Sequence, residues 1–262
     1  MKIQVLVATM HQADYRLLEK MNIQTSAIVC NQTDRYEAEL FDFHGQKIHW
    51  FSFGERGVGL NRNNALMRAT EDIVLFADDD VVYCDGYEDL IVQYYKSNPQ
   101  ADVVIFNFQM KRGETDYYDR VTKEGRVRRK DATKYGTYCI SAKRESLRLA
   151  NVLFHLDFGG GTTYSCGEDS LFLQECLKKG LKIYSTKTII GILDHGQSTW
   201  FKGYDDKFFF DKGVLFYMID KRFASAFSLY HCCKHREKYR EYGWFHAWKQ
   251  MMQGIRYIKR KM

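Results

Sequence analysis

The stretch from Ile73 to Asp80 reads IVLFADDD, and it decides how the rest of the chain is interpreted. Its first five residues form an unbroken apolar run, which is typical of a buried strand in the middle of a parallel sheet. Three aspartates, Asp78, Asp79 and Asp80, follow without a spacer. Because ligands bind beyond the carboxyl ends of the strands in an open α/β sheet, these aspartates stand where a binding site is expected.

The aspartate triplet indicates a divalent metal. Three adjacent carboxylates repel one another, since each ionised group makes the ionisation of its neighbours more costly. A cation that prefers oxygen ligands, Mn²⁺ or Mg²⁺, would compensate this charge. A solvated turn with an Asp helix cap is the alternative, and the position of the triplet directly after the most apolar strand favours the metal.

Strands and helices alternate along the chain. Apolar runs at 3–8 and 26–30 enclose a helix-like stretch, as in a βαβ unit. Further strands are predicted at 47–53, 73–77, 102–108 and 138–141, and further helices at 60–69, 87–97, 143–150 and 168–179. Residues 111–134 read as a loop or a hairpin. This order predicts an α/β fold with a mixed, mainly parallel sheet flanked by helices.

Composition places the chain among globular proteins. Its 262 residues are 45% hydrophobic and 15% aromatic, enough for one sizeable core, and Pro99 is its single proline. The seven cysteines are an odd number without a Cys-x-x-Cys pair, which favours a reducing compartment. No signal peptide is recognisable, and no apolar run reaches membrane-spanning length. The expected location is therefore the cytoplasm, either free or at the inner face of the membrane.

Residues 54–81, GERGVGLNRNNALMRATEDIVLFADDDV, resemble the glycine, Arg-Asn, helix, apolar strand and Asp-x-Asp series of family 2 glycosyltransferases, which have the Rossmann-like GT-A fold. The resemblance implies that Asp78 lies near the ribose and the metal and that Asp80 ligates the metal. It places Arg62 near the nucleotide base and Asp79 among the donor-binding residues. A surface position on its helix is the alternative for Arg62.

The same resemblance implies nucleotide-contacting loops after the first two strands. The first contains Thr9, Met10 and His11, and the second is 31–34, which ends in Asp34. A base or ribose contact and a role in an Asx-type turn are equally open for Asp34.

Residues 159–180, GGGTTYSCGEDSLFLQECLKKG, resemble the acceptor-side segment of that family, in which a Glu-Asp pair opens a helix. The resemblance makes Asp169 the candidate catalytic base and Glu168 the second candidate, with inversion at the anomeric carbon. Both residues could instead stabilise the first turn of the helix, where the macrodipole also makes a carboxylate a weaker base. Glycines would let a substrate approach the backbone here.

His195 follows an apolar run at 187–193, where many GT-A enzymes place a further metal ligand. A structural hydrogen-bonding role is the alternative for a lone histidine. Lys202 and the polar residues just before it could close over the diphosphate, which needs positive charge as it departs.

The basic character of the chain belongs to its end. Residues 231–262 hold nine Lys or Arg and two Glu, so the rest of the +6 chain is close to neutral. Apolar residues recur there at helical spacing and are flanked by basic ones: Trp244, Trp248, Met251, Ile255 and Ile258. This face could dock on its own domain, on a second subunit in a homodimer, or on an anionic membrane surface.

Together these features predict a GT-A catalytic domain at 1–200 and a C-terminal helical extension at 201–262. Residues 1–108 would bind the nucleotide sugar and 109–200 the acceptor. The implied reaction is inverting transfer from a nucleotide sugar, by analogy a UDP-sugar, to a hydroxyl of a glycan or lipid-linked acceptor in polysaccharide or glycolipid assembly. A nucleotidyltransferase and a non-catalytic membrane or nucleic-acid adaptor are the alternatives. Nucleic-acid binding is not expected, because the basic charge is confined to the end of the chain.

Overall fold

A single sheet organises the computed structural model, which describes residues 1–112, 116–193 and 203–262. Its strands are β1 (Ile3–Met10), β2 (Ser26–Gln32), β3 (Glu37–Phe43), β4 (Gln46–Phe53), β5 (Ile73–Asp78), β6 (Val81–Tyr83), β7 (Val103–Arg112), β8 (Asp116–Asp119), β9 (Gly125–Arg126), β10 (Ile140–Lys143) and β11 (Ile183–Leu193). The helices are α1 (Arg16–Lys20), α2 (Val58–Arg68), α3 (Tyr87–Ser97), α4 (Arg144–Ala150), α5 (Glu168–Lys178), α6 (Asp206–Ile219), α7 (Ala224–Lys234) and α8 (Trp244–Lys261).

The strand order is β3-β4-β2-β1-β5-β10-β7-β11-β6, and β8 and β9 pair with β7 and β11 outside this path. Strands β4, β2, β1 and β5 are parallel, as are β7 and β11, whereas β10 runs antiparallel between β5 and β7. The predicted mixed, mainly parallel sheet with flanking helices is therefore confirmed. Parallel register aligns the carboxyl ends of β1, β2 and β5 at one edge.

Strand β5 lies in the centre of the core, as its apolar run predicts. Residues 73–77 are at most 1% exposed, because both faces of the strand are covered. The core cluster around it also takes in β1, β2 and β7. Burial ends at Asp78, so the apolar run holds the aspartates at the rim of the sheet, where they can meet a ligand.

Two parts of the sheet differ from the predicted elements. Strand β3 was not expected, since the alternation of polar and apolar residues in EAELFDF breaks where Leu40 and Phe41 are adjacent. It pairs antiparallel with β4 at the edge of the sheet. Strand β7 extends to Arg112, and β8 pairs antiparallel with it. Of the loop and the hairpin predicted for residues 111–134, the start of this stretch therefore forms the hairpin.

The helices at the end of the chain pack on one another. Met251, Ile255 and Ile258 of α8 are buried, and Trp248 is partly buried, whereas Trp244 remains 37% exposed. The apolar face of α8 lies against α6 and α7. Of the alternatives for this face, docking on its own chain is the one observed.

The predicted domain boundary falls in residues 194–202, outside the described residues, so the division at residue 200 stays a prediction. All seven cysteines are free. In the described part of the chain, no helix is both long and apolar enough to cross a membrane.

Candidate active site

The site is built around Arg62, which lies on α2 and is 5% exposed. Its Nη2 donates to Oδ1 of Asp78 over 2.6 Å, and its Nη1 donates to Oε1 of Glu168 over 2.9 Å. One cation therefore joins the end of β5 to the start of α5. These two carboxylates hold the pKa of Arg62 above its ordinary value despite its burial.

The residues on either side of Arg62 fix helix α2 in place. Asn61 donates from Nδ2 to the backbone oxygen of Cys30 on β2, at 2.8 Å. Asn63 exchanges two hydrogen bonds with the backbone of Phe154, at 2.9 and 2.8 Å. The guanidinium carbon of Arg62 lies 5.5 Å from the centre of the Phe154 ring. The sequence Asn-Arg-Asn thus ties four distant segments to one helical turn.

Close packing brings the start of α5 to the start of α2. A Cβ atom on Gly159, which has a φ of +100°, would lie 2.5 Å from Cγ1 of Val58 and 2.8 Å from Cδ of Glu168. A Cβ on Gly167 would lie 2.6 Å from a methyl of Leu215. The expectation that glycines here admit a substrate is therefore wrong for these two positions, because the protein's own side chains fill the space.

Asp169 is partly buried beside Glu168, and its Oδ1 accepts from the backbone N–H of Ser170 at 2.5 Å. Burial raises the pKa of Asp169 to about 6, and the charge of Glu168 adds to the effect. The Ser170 hydrogen bond and the charges of Arg62 and Lys212 oppose it. Desolvation thus outweighs the helix terminus, and the carboxylate is a stronger base than an ordinary aspartate.

Thr9 lies at the end of β1 and is 4% exposed. Its hydroxyl donates to Oδ2 of Asp79 over 2.6 Å and accepts from Nε2 of Gln12 over 2.9 Å. The structure therefore brings Thr9 and Asp79, both predicted to bind the donor, into direct contact with each other. Beside them is a cleft of about 420 Å³ lined by Gln12, Asp14, Arg16, Leu17, Lys20 and Asp79.

Asp80 is partly buried in the turn between β5 and β6. Burial raises the pKa of its carboxyl to about 7, and the negative charges of Asp78 and Asp79 raise it further, whereas Lys20 lowers it. A cation close to this carboxyl would stabilise its ionised form. The donor set of this turn consists of oxygen ligands, so its chemistry fits Mg²⁺ or Mn²⁺.

Within residues 1–112, 116–193 and 203–262, no group of three His, Cys, Asp or Glu side chains is arranged to hold a metal ion. Mg²⁺ is commonly held by one or two carboxylates together with substrate phosphates, so Asp78 and Asp80 remain compatible with it.

Asp34 follows the end of β2 at the same edge of the sheet, since His11 donates from its backbone N–H to the oxygen of Gln32. Its Oδ1 accepts from the hydroxyl of Thr33 over 3.0 Å, and this bond holds the pKa of the exposed carboxyl below its usual value. The bond comes from a neighbouring side chain and leaves the carboxylate exposed at the rim of the site, so the ligand contact and the Asx-type turn both stay predictions.

His195 and Lys202 lie outside the described residues. Leu193, the last described residue before them, pairs with Val81, which directly follows the aspartate triplet. The strand register thus brings the chain to the rim of the site just before His195.

A family model described as Glycosyl transferase family 2 matches residues 30–179, more than half of the chain. The chain belongs to glycosyl transferase family 2. Among curated proteins no match is found. The matched region includes Arg62, the aspartate triplet and both candidate base residues.

Solved structures agree with the fold of this family 2 glycosyltransferase. The crystal structure of S. aureus TarS 1-349 in complex with UDP-GlcNAc matches with a TM-score of 0.61 and 15% identity, covering 83% of this chain and 66% of that one. The crystal structure of S. aureus TarS 1-349 matches with a TM-score of 0.61 and 12% identity, covering 100% and 92%. The chain spans just under two thirds of the TarS chain in the UDP-GlcNAc complex. At 12% and 15% identity, these similarities show the fold alone.

Helix α6 contributes residues that the sequence of this family 2 glycosyltransferase did not reveal. Asp211, 1% exposed, accepts from the backbone N–H and the hydroxyl of Ser165, both at 2.9 Å, and from Nζ of Lys207 at 2.6 Å. These bonds hold the segment that leads to Asp169. Lys212 is close enough to lower the pKa of Asp169. No local pattern marks their link to the site, because Ser165 and Asp169 lie more than 40 positions before them in the chain.

Proposed function

We propose that the protein transfers a sugar from a nucleotide-sugar donor to an acceptor hydroxyl, with inversion at the anomeric carbon. The observation that carries the proposal is the double ion pair of Arg62, which joins the aspartates after β5 to the carboxylates that open α5. A donor held at the first group would therefore face a base from the second. A UDP-sugar is the first candidate, supported by the UDP-GlcNAc and UDP in the TarS structures.

Asp169 acts as the general base in this proposal. With a pKa of about 6 it is mostly ionised at neutral pH, yet it binds a proton more readily than an ordinary aspartate. It takes the proton of the acceptor hydroxyl as the oxygen attacks the anomeric carbon. The bond from that carbon to the diphosphate breaks on the opposite face and releases the nucleoside diphosphate. Glu168 holds Arg62 in place and is not the base.

Asp80 and Asp78 would hold Mn²⁺ or Mg²⁺, and His195 is proposed as a further ligand. When bound, the ion would neutralise charge on the diphosphate as it leaves. Lys202 would add positive charge on the same side. The pairing of Leu193 with Val81 supports His195, since it brings the chain to the rim of the site two residues before it.

Thr9, Asp34, Arg62 and Asp79 are proposed to shape the donor side. Arg62 is enclosed by two carboxylates, Asp78 and Glu168. In this proposal it positions these carboxylates and does not contact the nucleotide base of the donor. The acceptor is a glycan or a lipid-linked sugar in polysaccharide or glycolipid assembly. The cytoplasmic location and the homodimer expected from the sequence stay predictions.

A donor panel tests the proposal. UDP-, GDP- and dTDP-sugars are added with and without Mn²⁺, and thermal stabilisation and donor hydrolysis are recorded for the wild type, Asp80→Asn and Asp72→Asn. Asp72 is exposed directly before β5, at the opposite end of that strand from Asp80, so Asp72→Asn removes the same charge away from the site. We expect one nucleotide class to stabilise the wild type and Asp72→Asn in the presence of Mn²⁺, with no response from Asp80→Asn.

Absence of a response to every nucleotide, with or without metal, would contradict the donor site and favour a non-catalytic adaptor. An equal response with and without Mn²⁺ would support the transferase function but contradict its dependence on a metal ion. Conversion of a nucleotide sugar and added pyrophosphate into a nucleoside triphosphate and a sugar phosphate would favour the nucleotidyltransferase.

A further inference from the structure

Helix α8 has an exposed face that carries positive charge along its length. Lys249, Gln253, Arg256 and Arg260 are exposed and follow one another at steps of four, three and four. At 3.6 residues per turn this spacing keeps them on one side of the helix. Neither Asp nor Glu occurs between residues 242 and 262. We call these four residues the basic stripe.

The opposite side of α8 is occupied by the protein itself. Gly213 of α6 and Gly254 of α8 let the two helices approach so closely that a Cβ atom on either would lie about 2 Å from a backbone oxygen of the other helix, 2.0 Å at Gly213 and 2.1 Å at Gly254. The apolar face therefore cannot be released for insertion into a bilayer without separating α6 from α8. Any partner of α8 meets the basic stripe.

Two aromatic side chains border the basic stripe. Phe245 is 59% exposed and lies one turn before Lys249. Tyr257 is 46% exposed and follows Arg256. With Gln253, Arg256, Arg260 and Lys261, Tyr257 lines a shallow groove of about 540 Å³. Cations beside aromatic rings suit the boundary between phosphate head groups and acyl chains.

The geometry points to a bilayer surface rich in anionic phospholipid as the partner of the basic stripe. The charge complementarity is local, because residues 1–230 are close to neutral and the positive charge gathers at the end of the chain. A flat anionic surface matches an 18-residue helix that is exposed along one side. Binding is electrostatic, since the apolar face is already buried, and salt therefore weakens it.

Acidic groups near α8 do not cancel this charge. Asp206 of α6 is the carboxylate bonded to the start of the helix, where it accepts from Tyr242, His246 and Gln250. Asp206 lies on the same side of α8 as His246 and Gln250, and Gln250 is buried. The basic stripe extends along the helix past Gln250 to Arg260. The proposal is independent of the transfer reaction, because it concerns a surface outside the candidate active site.

Vesicle co-sedimentation tests the proposal. The full chain is mixed with vesicles of phosphatidylglycerol and phosphatidylcholine, or of phosphatidylcholine alone, at low and high NaCl. The variant Lys249→Gln, Arg256→Gln, Arg260→Gln is compared with Lys47→Gln, Lys96→Gln, Lys179→Gln, which removes equal charge from exposed lysines elsewhere. Since each basic residue at an anionic surface contributes several-fold to binding, we expect the stripe variant to bind about 100-fold more weakly than the wild type.

The control variant should stay within about threefold of the wild type, because only charges close to the surface contribute. Binding should vanish with phosphatidylcholine alone and at high salt. Equal loss in both variants, absence of binding to phosphatidylglycerol vesicles at low salt, or tighter binding to a labelled single-stranded RNA than to vesicles would each overturn the proposal.

Discussion

Nη1 of Arg62 lies 2.9 Å from Oε1 of Glu168, although the two residues are 106 positions apart in the chain. The same guanidinium lies 2.6 Å from Oδ1 of Asp78. A carboxylate at the end of β5 and one at the start of α5 thus share one buried cation. This arrangement keeps the aspartates after β5 and the candidate base in a fixed relation, and it leads to the first prediction.

Replacing Arg62 with Ala should destabilise the fold by about 3 kcal/mol, because it leaves two partly buried carboxylates without their cation. Arg62→Lys should recover part of the stability but little of the activity, since one ammonium cannot reproduce the two-sided fork of a guanidinium. Urea unfolding and initial transfer rates measure the two effects.

Arg68→Ala is the matched control on the same helix. Arg68 is exposed and lies over the rings of Phe51 and Phe53, so its loss should cost less than about 1 kcal/mol. Equal effects of the two alanine variants would show that the double ion pair of Arg62 does not hold the site together.

The pH dependence of the reaction should report Asp169. Its pKa is raised from 3.8 to about 6, and a general base must be ionised, so kcat/KM should rise with pH and level off above about 6. Asp169→Asn should lose about 100-fold to 10,000-fold in rate and with it this rise. The exposed Asp157→Asn serves as the control and should keep the wild-type profile.

Stability should move in the opposite direction. Because folding raises the pKa of Asp169, the folded state favours the protonated carboxyl, and this stabilisation is complete below about 4 and lost as pH rises through about 6. Asp169→Asn should therefore melt at a higher temperature than the wild type at pH 7 but not at pH 3.5. An equal difference at both pH values would refute the assignment.

Removal of the Asp211 carboxylate should loosen the segment before Asp169. Asp211→Ala loses three part-buried hydrogen bonds to a carboxylate, two from Ser165 and one from Lys207, so we expect a loss of about 3 kcal/mol. The turnover rate should fall about tenfold while donor binding, measured by calorimetry, is retained. The control is Asp220→Ala, at the C-terminal cap of the same helix, which should change the turnover rate little. Equal loss of donor binding and turnover would argue against a positioning role.

The close approach of α6 and α8 should make their glycines intolerant of any side chain. Gly213→Ala or Gly254→Ala should destabilise the protein by about 2 kcal/mol, because the neighbouring atoms are backbone and cannot turn aside. The effect opposes the higher helix propensity of alanine. Gln253→Ala, on the exposed face, should be neutral or slightly stabilising in thermal unfolding.

Much of the fold follows from local patterns. The apolar run at 73–77 predicted the central strand, and its abrupt end placed the aspartates at the rim of the sheet. Strand β3 was missed because its alternation of polar and apolar residues breaks between Leu40 and Phe41, and pairing with β4 holds it at the edge of the sheet. The steps of four and three in α8 predicted its buried face, apart from the exposed Trp244.

The site was predicted less completely. Residue types and their order pointed to the aspartate triplet, and the resemblance to family 2 glycosyltransferases pointed to Arg62 and Asp169, but neither showed what each of them contacts. The contribution of α6 was missed entirely, since the bond between Ser165 and Asp211 spans 46 positions and leaves no periodic trace in either segment. Pairing of this kind depends on the path of the whole chain.

The sequence by itself determined the order of strands and helices, the placement of carboxylates after β5 and at the start of α5, and the basic end of the chain. These properties depend on hydrophobic periodicity and residue type within a few turns. Only the tertiary structure decided that Arg62 serves two carboxylates, that burial makes Asp169 a stronger base, and that α8 presents its basic side to solvent. Each of these depends on burial and on charges brought together from distant positions, which no local stretch of sequence encodes.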